Sequence, residues 1–278
     1  MPFPFQQVDV FSAEPGRGNA LAVVAEADGL SDERMASFAR WTNLSETTFL
    51  VRPTQPDADY RVRIFTPTTE LPFAGHPTLG SCHVWLKQGG VPQAEGIVQE
   101  CGVGSVRIRR DGPRLAFAAP PLRNSAKPDE ATLNQVCRGL GIDRAAVCAA
   151  QHVDNGVPWI AVRLQTRQEV LAIRPDYASL GILDVGVVAP WDPAADGTDA
   201  QFEVRAIVGD PPSEDPVTGS LNAGLAMWLI GEGVALDHYV ASQGTVLGRR
   251  GRVHVDRAGD TTWVGGEVHT LVAGTLRL

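Results

Sequence analysis

The feature that most constrains the fold of this chain is an internal repeat. Residues 70–90 read ELPFAGHPTLGSCHVWLKQGG, and residues 214–234 read EDPVTGSLNAGLAMWLIGEGV. Aligned without gaps, the two segments match in one Glu, one Pro and three Gly, at Glu70/Glu214, Pro72/Pro216, Gly75/Gly219, Gly80/Gly224 and Gly89/Gly233. Because Gly, Pro and Glu recur in register, and not merely apolar residues, we interpret the repeat as a duplication rather than a chance similarity between two common strand–turn–helix units.

Each copy begins as a turn and continues into an apolar, helix-like run. Each therefore places a glycine and a polar residue, Gly75-His76 or Gly219-Ser220, at a predicted helix N-terminus. Unbonded backbone N–H groups and the helix dipole make such a place suitable for an anion. One copy in each half of the chain predicts two related lobes that face each other across a cleft.

The repeat extends upstream of both copies. Residues 62–65 (VRIF) precede the first turn and residues 204–207 (VRAI) precede the second. Residues 19–24 (NALAVV) are more weakly similar to residues 156–162 (GVPWIAV).

Composition narrows the class of protein. The chain has 278 residues, 44% of them hydrophobic, and a formal net charge of -8, which argues against general binding of nucleic acid or anionic membranes. The N-terminal MPFPFQQVDVF lacks the basic and apolar regions of a signal peptide, and no apolar run reaches the roughly 18 residues of a membrane span. Four scattered cysteines form no CxxC pair, so we predict reduced thiols in a cytoplasmic protein and no metal site.

Strand-like and helix-like stretches alternate along the chain, with one apolar helix inserted among strands in each half. This pattern favours an α+β architecture over a doubly wound parallel sheet. Helices are predicted from residues 31 and 129, and the Pro-rich residues 119–128 are the best candidate for a linker. Residues 190–197 (PWDPAADG) are predicted to form a long surface loop.

Four polar residues are candidates for chemistry, and each has a structural alternative. Glu46 follows a predicted helix and precedes a strand, where apolar neighbours would desolvate a carboxylate and favour proton transfer; the alternative is an exposed loop residue. His76 is a candidate hydrogen-bond donor or proton carrier, or makes only a local turn contact. Asp215 and Ser220 are candidates to bind a substrate amine, hydroxyl or oxyanion; alternatively Asp215 orders its own turn and Ser220 caps the helix.

With these residues in place, the chain resembles the phenazine-biosynthesis isomerase (PhzF-like) family. The matching segments run from end to end in family order: Asp9-Val10-Phe11, Gly18-Asn19, 43–49 (NLSETTF), 63–67 (RIFTP), 70–77 (ELPFAGHP), 214–220 (EDPVTGS), Gln243-Gly244 and Gly248-Arg249. The resemblance implies a diaminopimelate-epimerase-like fold of two pseudo-symmetric lobes, each an antiparallel, barrel-like sheet around a central helix. It implies a first lobe of residues 1–118 completed by the C-terminal strand 265–278, a second lobe of residues 119–264, and a homodimer.

The resemblance also implies residue roles. Glu46 matches the acid/base glutamate that moves a proton between substrate carbons, and His76 and Asp215 match residues that hold and polarise the substrate. Gly75, Gly219 and Ser220 match the helix starts that bind it, and no organic or metal cofactor is required. Two-thiol racemases of the same fold place a Cys directly before each glycine, but Ala74 and Thr218 stand here, which excludes that mechanism.

The sequence therefore predicts a cofactor-independent isomerase that acts on a small carboxylate-bearing substrate by glutamate acid/base catalysis. The alternative is a non-catalytic small-molecule-binding protein that retains the interlobe cleft. A hydrolase or lyase that uses Asp215 or Ser220 is disfavoured, because Ser220 has no evident base. The chain departs from the usual family pattern at Ala20, at Arg250-Gly251 and at residues 206–208, and these changes leave the substrate's identity open.

Overall fold

The structure, a computed structural model, describes residues 2–278 and divides into two compact units. Unit 1 comprises Met1–Ala118 and Gly265–Leu278, and unit 2 comprises Ala119–Val264. Within residues 2–278, no helix combines the length and the apolar character needed to cross a membrane.

Strands make up most of both units. In chain order they are β1 (Phe3–Val10), β2 (Asn19–Val24), β3 (Thr47–Val51), β4 (Tyr60–Phe65), β5 (Glu70–Leu71), β6 (Ile97–Cys101), β7 (Gly104–Asp111), β8 (Arg114–Ala118), β9 (Ala149–His152), β10 (Ile160–Arg163), β11 (Val185–Pro190), β12 (Phe202–Val208), β13 (Ser213–Asp215), β14 (His238–Gln243), β15 (Gly251–Ala258), β16 (Thr261–Gly266) and β17 (Val268–Leu276).

The helices are fewer and mostly short. They are α1 (Asp32–Thr42), α2 (Gly75–Lys87), α3 (Glu130–Leu140), α4 (Arg167–Ala172), α5 (Tyr177–Leu180), α6 (Pro193–Asp196) and α7 (Gly219–Gly231). Single 3-10 turns lie at Ala27–Gly29, Arg144–Ala146 and Thr245–Leu247.

The two units repeat one order of strand pairing. In unit 1, β2 pairs with β1 antiparallel and with β3 parallel, β4 pairs antiparallel with β3 and β5, and β6 pairs parallel with β4 and antiparallel with β7. In unit 2, β10 pairs with β9 antiparallel and with β11 parallel, β12 pairs antiparallel with β11 and β13, and β14 pairs parallel with β12 and antiparallel with β15. The shared order confirms the predicted duplication and the pseudo-symmetric α+β architecture.

The long helix of each repeat lies inside its unit. Every residue of α7 is buried except Met227, which is half-buried, and the terminal Gly231, so this helix has no polar face to present to water. In α2, all residues from Gly75 to Cys82 are buried. Strands surround both helices because only packing on several sides removes this much apolar surface from water.

Two glycines that match in the repeat mark the closest packing of these helices. A Cβ atom added to Gly80 of α2 would lie 2.5 Å from Leu21 Cδ2, at the end of a side chain. A Cβ atom added to Gly224 of α7 would lie 2.6 Å from the backbone oxygen of Val153. At Gly224 the helix approaches a backbone atom too closely for any side chain, whereas at Gly80 the nearest atoms belong to side chains.

One sequence prediction is only partly confirmed. The stretch from Pro190 to Gly197 lies at the surface, as predicted, but Pro193–Asp196 forms a single helical turn and Trp191 is only 9% exposed. The Arg167 guanidinium lies 4.3 Å from the centre of the Trp191 ring, and Trp191 Nε1 donates to the buried carboxylate of Glu203 at 3.2 Å. These contacts with distant residues bury the Trp191 ring, although the surrounding sequence is rich in turn-forming residues.

We predict that alanine substitutions distinguish Gly224, which packs against a backbone atom, from Gly80, which packs against side chains. Gly224→Ala is expected to lower the free energy of unfolding, because about 1–3 kcal/mol of overpacking against a fixed backbone atom exceeds the gain of about 1 kcal/mol in helix propensity. Gly80→Ala is expected to be nearly neutral, since the end of Leu21 can shift. Denaturant unfolding measures both.

Gly231→Ala is the matched control, because nothing lies within 4 Å of a Cβ atom added there. It is expected to leave stability unchanged or slightly raised. A Gly224→Ala variant as stable as this control would contradict the close packing of α7.

Candidate active site

Glu46 is held at the junction between α1 and β3. Helix α1 ends where Asn43 adopts a left-handed conformation and its N–H donates to Ala39 O at 3.2 Å, and β3 begins at Thr47 beside β2. The Glu46 side chain is 14% exposed. The alternative that Glu46 is an exposed loop residue is therefore wrong, and its carboxyl group lies in a largely desolvated position.

His76 meets Glu46 inside unit 1. It is the second residue of α2, its side chain is 4% exposed, and its Nε2 lies 3.4 Å from Glu46 Oε2. Its Nδ1 lies 3.4 Å from Asn19 Nδ2. The alternative that His76 makes only a local turn contact is therefore wrong.

Burial decides the charge of His76. Loss of water around the ring lowers its pKa to about 3, although a hydrogen bond to the backbone of Ala20 acts in the opposite direction. At neutral pH the imidazole is therefore uncharged. A neutral imidazole can donate to a carboxylate or accept from a protonated carboxyl group, depending on its tautomer.

A buried carboxylate shapes the loop that presents Asn19. Asp9 is 1% exposed and accepts hydrogen bonds from the backbone N–H groups of Gly16, Arg17 and Gly18, at 2.8, 3.0 and 2.9 Å. A Cβ atom at Gly18 would lie 2.1 Å from Val10 O, so only glycine fits there. Asp9 and Gly18-Asn19 match family segments whose sequence alone indicates no role; in unit 1 they place Asn19 beside His76.

The start of α7 in unit 2 depends on Gln243, a residue to which sequence reasoning also gave no role. The Gln243 side chain is fully buried, and its Oε1 accepts from Thr218 N at 3.0 Å and from Asn222 Nδ2 at 2.8 Å. Its Nε2 donates to Asp215 O at 3.0 Å and to Thr218 Oγ1 at 2.9 Å. One amide therefore fixes the turn that leads into the helix.

Asp215 and Ser220 lie on either side of that turn. Thr218 Oγ1 donates to Asp215 Oδ2 at 2.5 Å, so Asp215 does order its own turn, as the structural alternative supposed. Ser220 is not a cap, because the N-cap residue is Thr218 and Ser220 is the second residue of the helix. The indole Nε1 of Trp159 donates to Ser220 Oγ at 3.1 Å, and Asn155 Nδ2 donates to Ser220 O at 2.8 Å.

Both helices begin where the sequence predicts, at Gly75 and Gly219. Within residues 2–278, neither N-cap residue, Ala74 or Thr218, caps its helix with a side-chain hydrogen bond. The first N–H groups of a helix have no intrahelical acceptor, so each start offers donors to an anion. The structure thus groups Glu46, His76 and Gly75 in unit 1, and Asp215, Gly219 and Ser220 in unit 2.

The cysteines lie away from both helix starts in sequence and are mostly buried. Cys82, Cys101 and Cys137 are buried, whereas Cys148 is exposed. Burial raises the pKa of the Cys82 thiol to about 12, so it is protonated at neutral pH and is not a base. Within residues 2–278, no three His, Cys, Asp or Glu side chains are grouped so that they could hold a metal ion.

We predict that His76 makes folding stability depend on pH. Because its pKa falls from 6.5 to about 3 on folding, the unfolded chain takes up a proton below about pH 6.5 and the folded chain does not until about pH 3. The stabilisation is therefore complete above pH 6.5 and is lost as the pH falls toward 3. The free energy of unfolding of His76→Gln should fall less steeply than that of wild type, by at most about 1.4 kcal/mol per pH unit.

His83→Gln is a graded comparison, since burial lowers the pKa of His83 only to about 4. The free energy of unfolding of His83→Gln should also fall less steeply with decreasing pH than that of wild type, but over a narrower range of pH than for His76→Gln. Equal slopes for wild type and His76→Gln between pH 6.5 and 4 would contradict a neutral, buried His76.

The chain is similar to known proteins along most of its length. The family model "Phenazine biosynthesis-like protein" matches residues 8–274. The chain is 35% identical to antisense-enhancing sequence 1 of Schizosaccharomyces pombe, over 97% of each chain. It is 36% identical to trans-2,3-dihydro-3-hydroxyanthranilate isomerase of Pseudomonas aeruginosa, over 62% of this chain and 61% of that protein.

Among solved structures, a PhzF-family phenazine biosynthesis protein of Enterococcus faecalis superposes with a TM-score of 0.83 and 25% identity, covering all of both chains. The predicted fold and the predicted family are both confirmed. The chain belongs to the phenazine biosynthesis-like (PhzF) family of isomerases and has its diaminopimelate-epimerase-like fold.

Proposed function

We propose that this isomerase moves a proton between two carbons of a small carboxylate-bearing substrate, with Glu46 as the acid/base group and without a cofactor. The observation that carries the proposal is the 3.4 Å contact between Glu46 Oε2 and His76 Nε2, at the N-terminus of α2. Both side chains are largely withdrawn from water, which strengthens their electrostatic interaction.

In the proposed reaction, Glu46 takes a proton from one carbon as the C–H electrons delocalise into the substrate. The same carboxyl group then returns the proton to a second carbon, so the atoms and charges balance without a further reagent. His76 faces Glu46 through Nε2, which donates to a carboxylate in one tautomer and accepts from a protonated carboxyl in the other. The contact of its Nδ1 with the amide nitrogen of Asn19 favours the tautomer that donates to Glu46. A positioned acid/base group typically contributes about 10²- to 10⁴-fold, and stabilisation of the delocalised anion must supply the rest.

The helix start beside this pair suits a carboxylate substrate. Gly75 begins α2 at the position before His76, and the backbone N–H groups of its first turn are available to an oxyanion. The P. aeruginosa relative is named for an anthranilate, which is a carboxylate. This supports a small carboxylate as the substrate of this chain, without fixing which one.

Several family expectations stay predictions. Asp215, Gly219 and Ser220 are predicted to bind the same substrate, and their polar groups at the start of α7 are compatible with that role. A homodimer is predicted from the family resemblance. A cytoplasmic location and the absence of nucleic-acid and membrane partners stay predictions from the composition, the net charge and the scattered cysteines.

The test is deuterium incorporation in D₂O. Wild type and Glu46→Gln would be incubated with trans-2,3-dihydro-3-hydroxyanthranilate and, separately, with a metabolite extract, and mass shifts read by mass spectrometry. We expect a carbon-bound deuterium with wild type and a loss of at least about 10²-fold with Glu46→Gln, because the amide cannot accept the proton.

Glu33→Gln is the matched control, since Glu33 is an exposed carboxylate on α1 of the same unit. It should exchange at the wild-type rate. Exchange by Glu46→Gln at that rate would contradict the mechanism. A ligand that binds tightly while its C–H protons never exchange would favour the alternative, a non-catalytic binding protein.

A further inference from the structure

A buried amide oxygen at the start of α7 lacks a donor. Asn155 lies in the loop between β9 and β10 and is 2% exposed. Its Nδ2 donates to Ser220 O at 2.8 Å, whereas no donor within residues 2–278 reaches its buried Oδ1. The orientation of the amide is determined, because a backbone carbonyl accepts only and the NH₂ group must face it.

The loop that carries Asn155 is firmly bonded, so the unsatisfied oxygen does not reflect a loose segment. Val153 N donates to Trp159 O at 2.9 Å, and Gly156 N donates to Asp154 Oδ1 at 2.8 Å. Gly156 has a φ of 126°, which a residue with a side chain rarely adopts. A buried acceptor without a donor costs about 1–3 kcal/mol, so such an atom usually meets a donor from a bound ligand or an ordered water.

Ser220, whose backbone oxygen accepts from this amide, presents the opposite chemistry. Because the Trp159 indole already donates to Ser220 Oγ, the hydroxyl hydrogen is left to donate to something else. The first N–H groups of α7 add further donors. The start of α7 therefore combines several donors, which suit a carboxylate, with one acceptor, which suits an N–H or O–H group.

Unit 1 has an asparagine in the corresponding place. Asn19, at the start of β2, brings its Nδ2 to His76, the second residue of α2. Asn155 brings its Nδ2 to Ser220, the second residue of α7. Each repeat thus fixes the second residue of its central helix with an asparagine from the preceding hairpin, but only in unit 2 is the asparagine oxygen left as a buried acceptor.

A second buried oxygen without a donor, Oδ1 of Asn222, has a different setting. Asn222 is fully buried in the second turn of α7, and its Nδ2 donates to both Thr218 O at 2.9 Å and Gln243 Oε1 at 2.8 Å. Both of its donors are engaged in holding the turn. Asn222 is therefore a positioning residue and the natural control for Asn155.

We propose that Asn155 is a ligand-binding residue whose Oδ1 accepts a hydrogen bond from an N–H or O–H group of a small carboxylate, while Ser220 and the first N–H groups of α7 bind the carboxylate. The inference rests on the proposed binding of a carboxylate substrate and is independent of proton transfer by Glu46. It narrows the substrate class to carboxylates that also carry a hydrogen-bond donor.

The experiment compares the binding of 2-aminobenzoate, which carries such a donor, with benzoate, which does not. Isothermal titration calorimetry would give Kd for both compounds with wild type, Asn155→Ala, Asn155→Asp and the control Asn222→Ala. Wild type should favour 2-aminobenzoate by roughly 3- to 10-fold, the range for one neutral hydrogen bond. Asn155→Ala should bring the ratio near one. Asn155→Asp loses the donor to Ser220 O and adds a negative charge, so it should weaken the binding of both carboxylates.

Thermal unfolding checks that each variant is folded, and Ser220→Ala should weaken both compounds by a similar factor. Asn222→Ala is expected to lower stability while it keeps the wild-type ratio. An unchanged ratio in Asn155→Ala, or failure of wild type to bind either compound at millimolar concentration, would overturn the proposal. Binding is read without turnover, so its result is separate from that of deuterium exchange.

Discussion

The burial of one apolar helix inside each unit is the constraint on which the rest of the structure depends. Helix α7 has no side that suits water, and the first two turns of α2 are wholly buried. Such helices are stable only when strands cover them on several sides, so each repeat carries parallel and antiparallel pairings in the same order around its helix. Glycine at the matched positions Gly80 and Gly224 lets the neighbouring chain approach closely.

Burying a helix also buries its N-terminus, with backbone N–H groups that need partners. The segments that lead to and support these helix starts are held by polar side chains that are themselves buried. In unit 2, Gln243 makes three hydrogen bonds with the turn before α7 and a fourth with Asn222 inside the helix. In unit 1, Asp9 binds three backbone N–H groups of the loop that carries Asn19. The polar groups beside each helix start are therefore held rigidly, which is what a binding or catalytic site requires.

Desolvation links this architecture to chemistry. His76 sits at a buried helix start, and burial makes it a neutral base or donor at physiological pH instead of a cation. Its Nε2 lies 3.4 Å from Glu46 Oε2. At the corresponding position in unit 2, Ser220 accepts hydrogen bonds from the uncharged side chains of Trp159 and Asn155. The two repeats therefore share the order of strand pairing but differ in the polar side chain at the second position of the central helix.

The sequence by itself determined the repeat, the helix starts at Gly75 and Gly219, the α+β class and the family, because glycine, proline and apolar periodicity are local signals that the fold obeys. The sequence also identified the candidates Glu46, His76, Asp215 and Ser220, although for each of them a purely structural role stayed possible. Only the tertiary structure decided between them. It withdrew Glu46 from water, brought His76 against it from a distant segment, and showed that Asp215 bonds Thr218.

Tertiary structure alone also revealed the roles of Asn19, Asn155 and Gln243 and the burial of Trp191. The physical reason is that hydrogen bonds between residues far apart in the chain, and the desolvation that sets a pKa, depend on packing in three dimensions. Spacing along the sequence does not record that packing.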